Sequence, residues 1–284
     1  MSDNSLTLTI GGIAMALIPH SNKEFHLPEN CNKFVTHEQP DVFLHMWDSY
    51  APIQSLQEKK KIFETDNMST YRSSEELIIL FCMAGKDDAP QRMIKVNTQR
   101  RSIDLYAKSA EHCKYFDPLE RFLFRILMVN IFSWGLGVMI HASGINDNGR
   151  GMIFVGKSGA GKSTIANLWK EKDSTVLGDD TLIIRKREEH FWVYGVPWKD
   201  THLTSPDPCP LENIFFIEHA KENILKQKKG TLNSILPHIL HPLWNVSGVK
   251  FSMNFLSELV KKIPCYMLGF VPDKRIIDFI RAMR

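Results

Sequence analysis

Cysteine is scarce and badly spaced for any framework: five residues, at 31, 82, 113, 209 and 265, with no C-x-x-C and no Cys/His spacing. An odd, dispersed set excludes a disulfide scaffold and a zinc finger, and it leads us to expect reduced thiols and a cytoplasmic location. Long apolar runs are missing as well. The longest is Ile126 to Ile140, which carries Asn130 and Ser133 and is broken by Gly135 and Gly137, so it is too short and too interrupted to span a bilayer. The N-terminus has Asp3 and no basic stretch, and Leu6 to Ile18 alternates like a strand, so no targeting segment is expected. Charge of one sign is in short supply too. A formal net charge of +3 over 284 residues gives no concentrated basic face, and the runs Lys59-Lys60-Lys61 and Lys226, Lys228, Lys229 read as solvated surface. Neither nucleic acid nor a membrane is an expected partner. Repeats and low-complexity tracts are absent, and 43% hydrophobic with 24% charged residues is an ordinary globular balance.

What is present is one motif with its context. Gly156-Lys157-Ser158-Gly159-Ala160-Gly161-Lys162-Ser163-Thr164 reads G-x-x-x-x-G-K-S. The apolar run Met152-Ile153-Phe154-Val155 before it reads as a buried strand, and Ser163 to Trp169 after it as the first turns of a helix. This is a phosphate-binding loop. Gly156, Gly159 and Gly161 are expected to take positive φ and bring backbone N–H groups to phosphate oxygens, aided by the partial positive charge of the helix start. Lys162 is expected to reach the β- and γ-phosphates of ATP and Ser163 to ligate Mg²⁺, both side chains being partly exposed.

Around the motif the chain divides in two. Residues 1–115 read as a β-rich N-terminal region, a candidate for substrate recognition, with strands at Thr7–Ile10, Val42–Met46, Glu76–Cys82 and Met93–Val96. Trp47, Tyr50 and Tyr71 there are pocket candidates, though core packing is the commoner role of such aromatics. Residues 116–284 read as a nucleotide-binding catalytic domain, entered by a helix whose start is signalled by Asp117-Pro118-Leu119-Glu120. Asn148-Gly149 between the apolar runs Val138–Ile145 and Met152–Val155 predicts an antiparallel hairpin feeding the loop. Ser174 to Thr181 reads as a strand ending in Asp179-Asp180, which brings both acids to the sheet edge that holds the loop. On a strand, successive side chains face opposite ways, so both acids can serve one site only if the strand ends or bulges there. A second hairpin is expected from Leu182–Arg185 and Phe191–Tyr194, then a turn through Gly195 to Trp198, a strand at Asn213–Ile217, helices over Leu232–Leu240 and Ser252–Ile263, a strand at Cys265–Phe270 and a last helix capped by Asp273. The fold class expected is α/β with a mixed sheet.

The phosphate loop, His141 one hairpin earlier and Asp179-Asp180 at the end of the next strand together resemble the catalytic core of the HPr kinase/phosphorylase family. The resemblance covers roughly residues 136 to 200, and the segment Tyr194 to Trp198 is most similar to the short HPr-kinase-like proteins, including lasso-peptide precursor kinases. It implies that Asp180 is the general base, that Asp179 serves the metal or its waters and that His141 stands beside the acids. No glycine-rich segment with a metal-binding Glu follows the Asp pair, and Asp200 and Glu212 are only positional candidates for that role. The expected activity is Mg·ATP-dependent phosphorylation of a hydroxyl, a Ser of a peptide or protein, or a small alcohol such as free serine or a sugar. A nucleotide-binding switch with little transferase activity is the competing reading; no guanine-reading N-K-x-D is present. A carboxykinase would need an arginine cluster, and Arg150, Arg185 and Arg187 are few. His238 and His241 have ligand-like spacing without a further ligand in view. Homo-oligomerisation is left open.

Overall fold

A computed structural model describes residues 5–56, 58–81, 92–97, 99–117, 119, 121–170, 172, 174–198, 203–242 and 244–283. The chain forms two compact units, Met1–Leu127 and Met128–Arg284. Both are built on mixed sheets, and the whole is an α/β protein. No helix of the described residues is long and apolar enough to cross a membrane.

The first unit is a nine-stranded sheet. Its strands Leu6–Ile10, Val42–Trp47, Glu76–Phe81 and Arg92–Asn97 cover the expected segments, while Cys82 lies outside the described residues. The apolar alternation from Leu6 to Ile18 is two strands and not one: Gly11 and Gly12, at φ 59° and 68°, turn the chain back so that Leu6–Ile10 pairs antiparallel with Ile13–His20. Ile13–His20 then runs parallel to Val42–Trp47, which runs parallel to Ser102–Ala107. Trp47 stacks on His20 with ring centres 3.8 Å apart, Tyr71 packs beside Ala51, Ile78, Leu80 and Met93, and Tyr50 is exposed.

The helix Arg121–Phe132 leads into the second unit; Pro118 and Glu120 of its expected start lie outside the described residues. The loop strand Arg150–Val155 is central. It pairs antiparallel with the hairpin strand Ser143–Asp147 and parallel with Cys209–His219, so both its edges and both its faces are covered, which is why its sequence is apolar throughout. Asn148 and Gly149 adopt φ 56° and 89°, as a tight two-residue hairpin demands. The strand Thr175–Gly178 pairs with the far side of the hairpin strand, and Cys265–Phe270 pairs parallel with Cys209–His219. Leu182–Arg187 and His190–Tyr194 form the second hairpin.

Two apolar layers enclose this sheet. The loop helix Lys162–Lys170 buries Ile165, Ala166 and Trp169 against Phe154 and Phe215 on one face, together with Ile276, Ile277 and Ile280 of the last helix, Arg275–Arg281. On the other face Val155, Phe216 and Met267 pack with Phe255, Leu256 and Leu259 of the helix Val246–Lys262, whose start is capped by Asn245 accepting from Gly248 N at 3.2 Å. The expected helix over residues 232–240 is shorter, a single α-helical stretch Thr231–Ile235 followed by a 3₁₀ turn Leu236–His238 containing Pro237.

Candidate active site

The loop leaves its strand at Val155 and enters its helix at Lys162. Gly159 and Gly161 have φ of +79° and +97°, while Gly156 does not have positive φ. The reason for glycine at 156 is space: a Cβ there would lie 2.8 Å from Ala160 Cβ and 3.0 Å from Ile217 Cγ1. Gly161 is constrained twice, since a Cβ would also come within 2.5 Å of the Phe270 ring. Ser163 and Thr164 are exposed at the helix start, but Lys162 is buried, contrary to the exposure expected for it. Its Nζ folds back and donates to Gly156 O at 2.8 Å and Lys157 O at 3.1 Å. Burial pushes the Lys162 ammonium below its ordinary range, and the Asp180 charge opposes that fall.

The strand Thr175–Gly178 stops before the acids, so Asp179 and Asp180 sit in a bend and escape strand alternation. The bend is tied to the start of the hairpin strand by Ala142 N donating to Asp180 O at 3.1 Å and Ser143 Oγ donating to Asp179 O at 3.1 Å. Behind it, buried Thr204 Oγ donates toward Leu177 O and Val196 O at 3.2 and 3.0 Å, fixing the strand that carries the acids to the turn Gly195 to Trp198. His141 does not lie on the hairpin strand. The run Val138–Ile145 breaks at His141-Ala142, because Val138–Ile140 pairs with Leu182–Arg187 and only Ser143–Asp147 belongs to the hairpin. That break turns the imidazole to the acids, with Nδ1 at 3.3 Å from Asp180 Oδ1. Thr181 Oγ donates to Asp180 Oδ2 at 2.8 Å.

These groups line one cavity of about 330 Å³, holding His141, Ser158, Gly159, Gly161, Lys162, Ser163, Thr164, Asp179, Asp180 and His219. His219 was not singled out from the sequence. It ends the strand Cys209–His219, stacks on Phe270 with ring centres 5.4 Å apart, and approaches Gly159 O through Nε2 at 3.1 Å. The available signal was topological: a strand parallel to the loop strand delivers its C-terminal residues to the same edge, where sites of open α/β sheets form. His238, noted for its spacing to His241 without a further ligand in view, gives its backbone carbonyl to His141 N at 2.7 Å. Burial, Lys162 and His141 together hold its imidazole below the usual range. Among the described residues no group of His, Cys, Asp and Glu is arranged to hold a metal ion by itself. Glu212 is remote from the acids in role: it is exposed and pairs with Arg150 at 3.3 Å. Trp198 is core, and Asp200 lies outside the described residues.

No protein-family model matches the sequence, and no curated protein does. Among solved structures the chain is similar to the Hpr(Ser) kinase/phosphatase from Coxiella burnetii, at 8% identity and a TM-score of 0.33, over 50% of this chain and 93% of that one. The functional reading therefore stands on the geometry of the site.

Proposed function

We propose that this chain is an ATP-dependent kinase that transfers the γ-phosphoryl group to a hydroxyl, the acceptor being a Ser of a peptide or protein. The observation that carries the reading is the juxtaposition of Asp180 and His141, 3.3 Å apart, with Lys162 and Ser163 of the phosphate loop in one cavity. The loop suits a triphosphate because Gly159 and Gly161, both lining the cavity, take positive φ, a backbone conformation in which successive N–H groups can converge on phosphate oxygens at a helix start. Phosphoryl transfer needs mostly positioning and charge stabilisation, and each is assigned here. The acceptor oxygen forms its bond to the γ-phosphorus as the bond from that phosphorus to the β,γ-bridging oxygen breaks, releasing ADP. Asp180 takes the hydroxyl proton, and His141 holds the carboxylate toward it. Lys162 swings from the carbonyls of Gly156 and Lys157 to phosphate oxygens, exchanging one set of acceptors for a charged one. Mg²⁺, for which Ser163 and Asp179 are the ligand candidates, would neutralise charge on the transferring oxygens.

The test is incubation with γ-labelled ATP, Mg²⁺ and a pool of Ser-containing peptides, read by mass spectrometry for phosphoserine. Label is expected on peptide, at a rate well above its release as inorganic phosphate. Release of phosphate at one rate whatever acceptor is added would overturn the kinase reading in favour of a hydrolysing switch.

A further inference from the structure

A second cavity, of about 610 Å³, opens beside the phosphate loop and has no role in the chemistry above. It shares Ser158, Gly159 and His219 with the first cavity, so the two are adjacent around His219. Ser163, Thr164 and the two acids line only the first. The second lies along the first half of the loop, Gly156 to Ala160; of its apolar lining, Val155, Phe216 and Met267 belong to the core layer opposite the loop helix, and Ile217 and Ala160 to the layer of the loop helix. The short helix Thr231–Ile235 contributes Asn233 and Ser234.

Direction follows from Lys162. In a loop of this type its ammonium reaches the β- and γ-phosphates. Here it rests on the carbonyls of Gly156 and Lys157, both of which line the second cavity, while its charge is felt at Asp180. Lys162 itself lines the first cavity with the acids, so the γ end of a nucleotide lies there, next to the second cavity, which shares Ser158, Gly159 and His219 with it.

Chemistry narrows the occupant. Lys228 Nζ stands 5.2 Å from the centre of the Phe216 ring, whose negative face holds the ammonium at the cavity, where that ammonium can attract an anionic group. Lys157 is exposed at the rim, and Glu218 is the one carboxylate in the lining among the described residues. The volume falls in the range of sites that enclose small ligands or a few side chains.

We propose that the second cavity receives the acceptor peptide beside its phosphorylated Ser, one apolar side chain resting on Phe216 and Met267 and one acidic side chain meeting Lys228. This rests on the kinase reading above. It adds the substrate class: a Ser flanked by an acidic and an apolar residue.

The experiment uses the full chain and a Ser-centred peptide library randomised one position at a time, with a fluorescent ATP analogue as the nucleotide probe. The wild type is expected to favour Asp or Glu over Lys at one flanking position by about 5-fold or more, and Lys228→Glu to reverse that preference, since rim charges discriminate partners more than they add affinity. Ser234→Trp, which fills the cavity, is expected to raise KM for the best peptide about 10-fold or more while the analogue binds within about 2-fold of wild type. Unchanged selectivity in Lys228→Glu, with peptides still phosphorylated, overturns the cavity assignment and leaves the kinase reading intact. Loss of analogue binding in folded Ser234→Trp assigns the cavity to the nucleoside and overturns the proposal too. A wild type that labels no peptide at all overturns the Ser-peptide reading and this inference together.

Discussion

Asp180 has its two carboxylate oxygens spoken for at different strengths: Oδ2 accepts from Thr181 at 2.8 Å, while Oδ1 faces His141 at 3.3 Å and the cavity. A group held this way is positioned before any acceptor arrives. Asp180→Asn is expected to leave Mg·ATP affinity intact and to lower turnover by roughly 10²- to 10⁴-fold, the usual loss when a general base is removed. Asp179→Asn is expected to act through the metal, raising the Mg²⁺ concentration for half-maximal activity roughly 10-fold or more. A Mg²⁺ titration of turnover for both variants separates the roles, and a reversed pattern would exchange them. Lys162→Ala is expected to abolish turnover and to weaken nucleotide binding. It also removes two hydrogen bonds to loop carbonyls, so a stability loss of about 1 kcal/mol is expected by thermal melt. His141 entered only through the family resemblance, whereas the loop and the acids were legible in sequence because each type is demanded by the chemistry and lies next to an apolar strand. The burial of Lys162 was not, because where a long side chain folds depends on carbonyls that only the closed loop presents. His219 was hidden for a related reason: its place depends on where a long strand ends, and strand ends carry no strong sequence signal.

At the scale of elements, the hairpin that feeds the loop is anchored at its turn by Asp147. Arg281 Nη2 donates to Asp147 Oδ1 at 2.6 Å and Arg281 Nε to Oδ2 at 2.9 Å, and Ser174 Oγ adds a third bond at 2.9 Å. One buried carboxylate thus joins the hairpin, the segment entering the strand of the acids, and the last helix. The Arg281 hydrogen bonds hold its carboxyl below the ordinary range, against the opposing effect of burial. A depressed carboxylate pKa stabilises the folded state above the unfolded value, about 3.9, and that contribution is lost as pH falls through the folded value. Asp147→Asn is therefore expected to cost about 2 kcal/mol at pH 7, discounted because Arg281 is partly exposed, with the gap from wild type closing below about pH 4. Melts across that range check it, and a gap independent of pH would contradict the charge assignment. The hairpin itself was readable from Asn148-Gly149, whose positive φ values few other residue pairs accept. Its partner strands were harder. The apolar run from Val138 to Ile145 is continuous in composition, yet it serves two different partners, and only tertiary pairing dictates the break at His141. The same holds for Gly11-Gly12, which split one apparent strand into a hairpin.

For the molecule as a whole, every residue given a chemical role lies in the unit Met128–Arg284, although the unit Met1–Leu127 has a nine-stranded sheet and a core of its own. The β-rich character of the first unit was legible because its strands alternate or run apolar over four to six residues. Its strand order was not, since Val42–Trp47 pairs parallel on both sides with strands from either end of the unit, and pairings of that range leave no local pattern. Confinement of the site to one unit has a measurable consequence. A nucleotide that binds only the folded second unit adds about 2.7 kcal/mol to its opening free energy at 100 times its Kd, which slows exchange of globally protected amides there about 100-fold. Hydrogen exchange with and without Mg²⁺ and a non-hydrolysable ATP analogue is expected to show added protection at 141–143, 156–164, 177–181 and 217–219, spreading through the second unit's sheet. Amides of the strands Leu6–Ile10, Val42–Trp47 and Ser102–Ala107 are expected to exchange at unchanged rates. Lys162→Ala should erase the added protection without altering the nucleotide-free pattern beyond the loop. Protection appearing equally in both units would mean that the nucleotide is held by more than the loop, and the site drawn from the second unit alone would be incomplete.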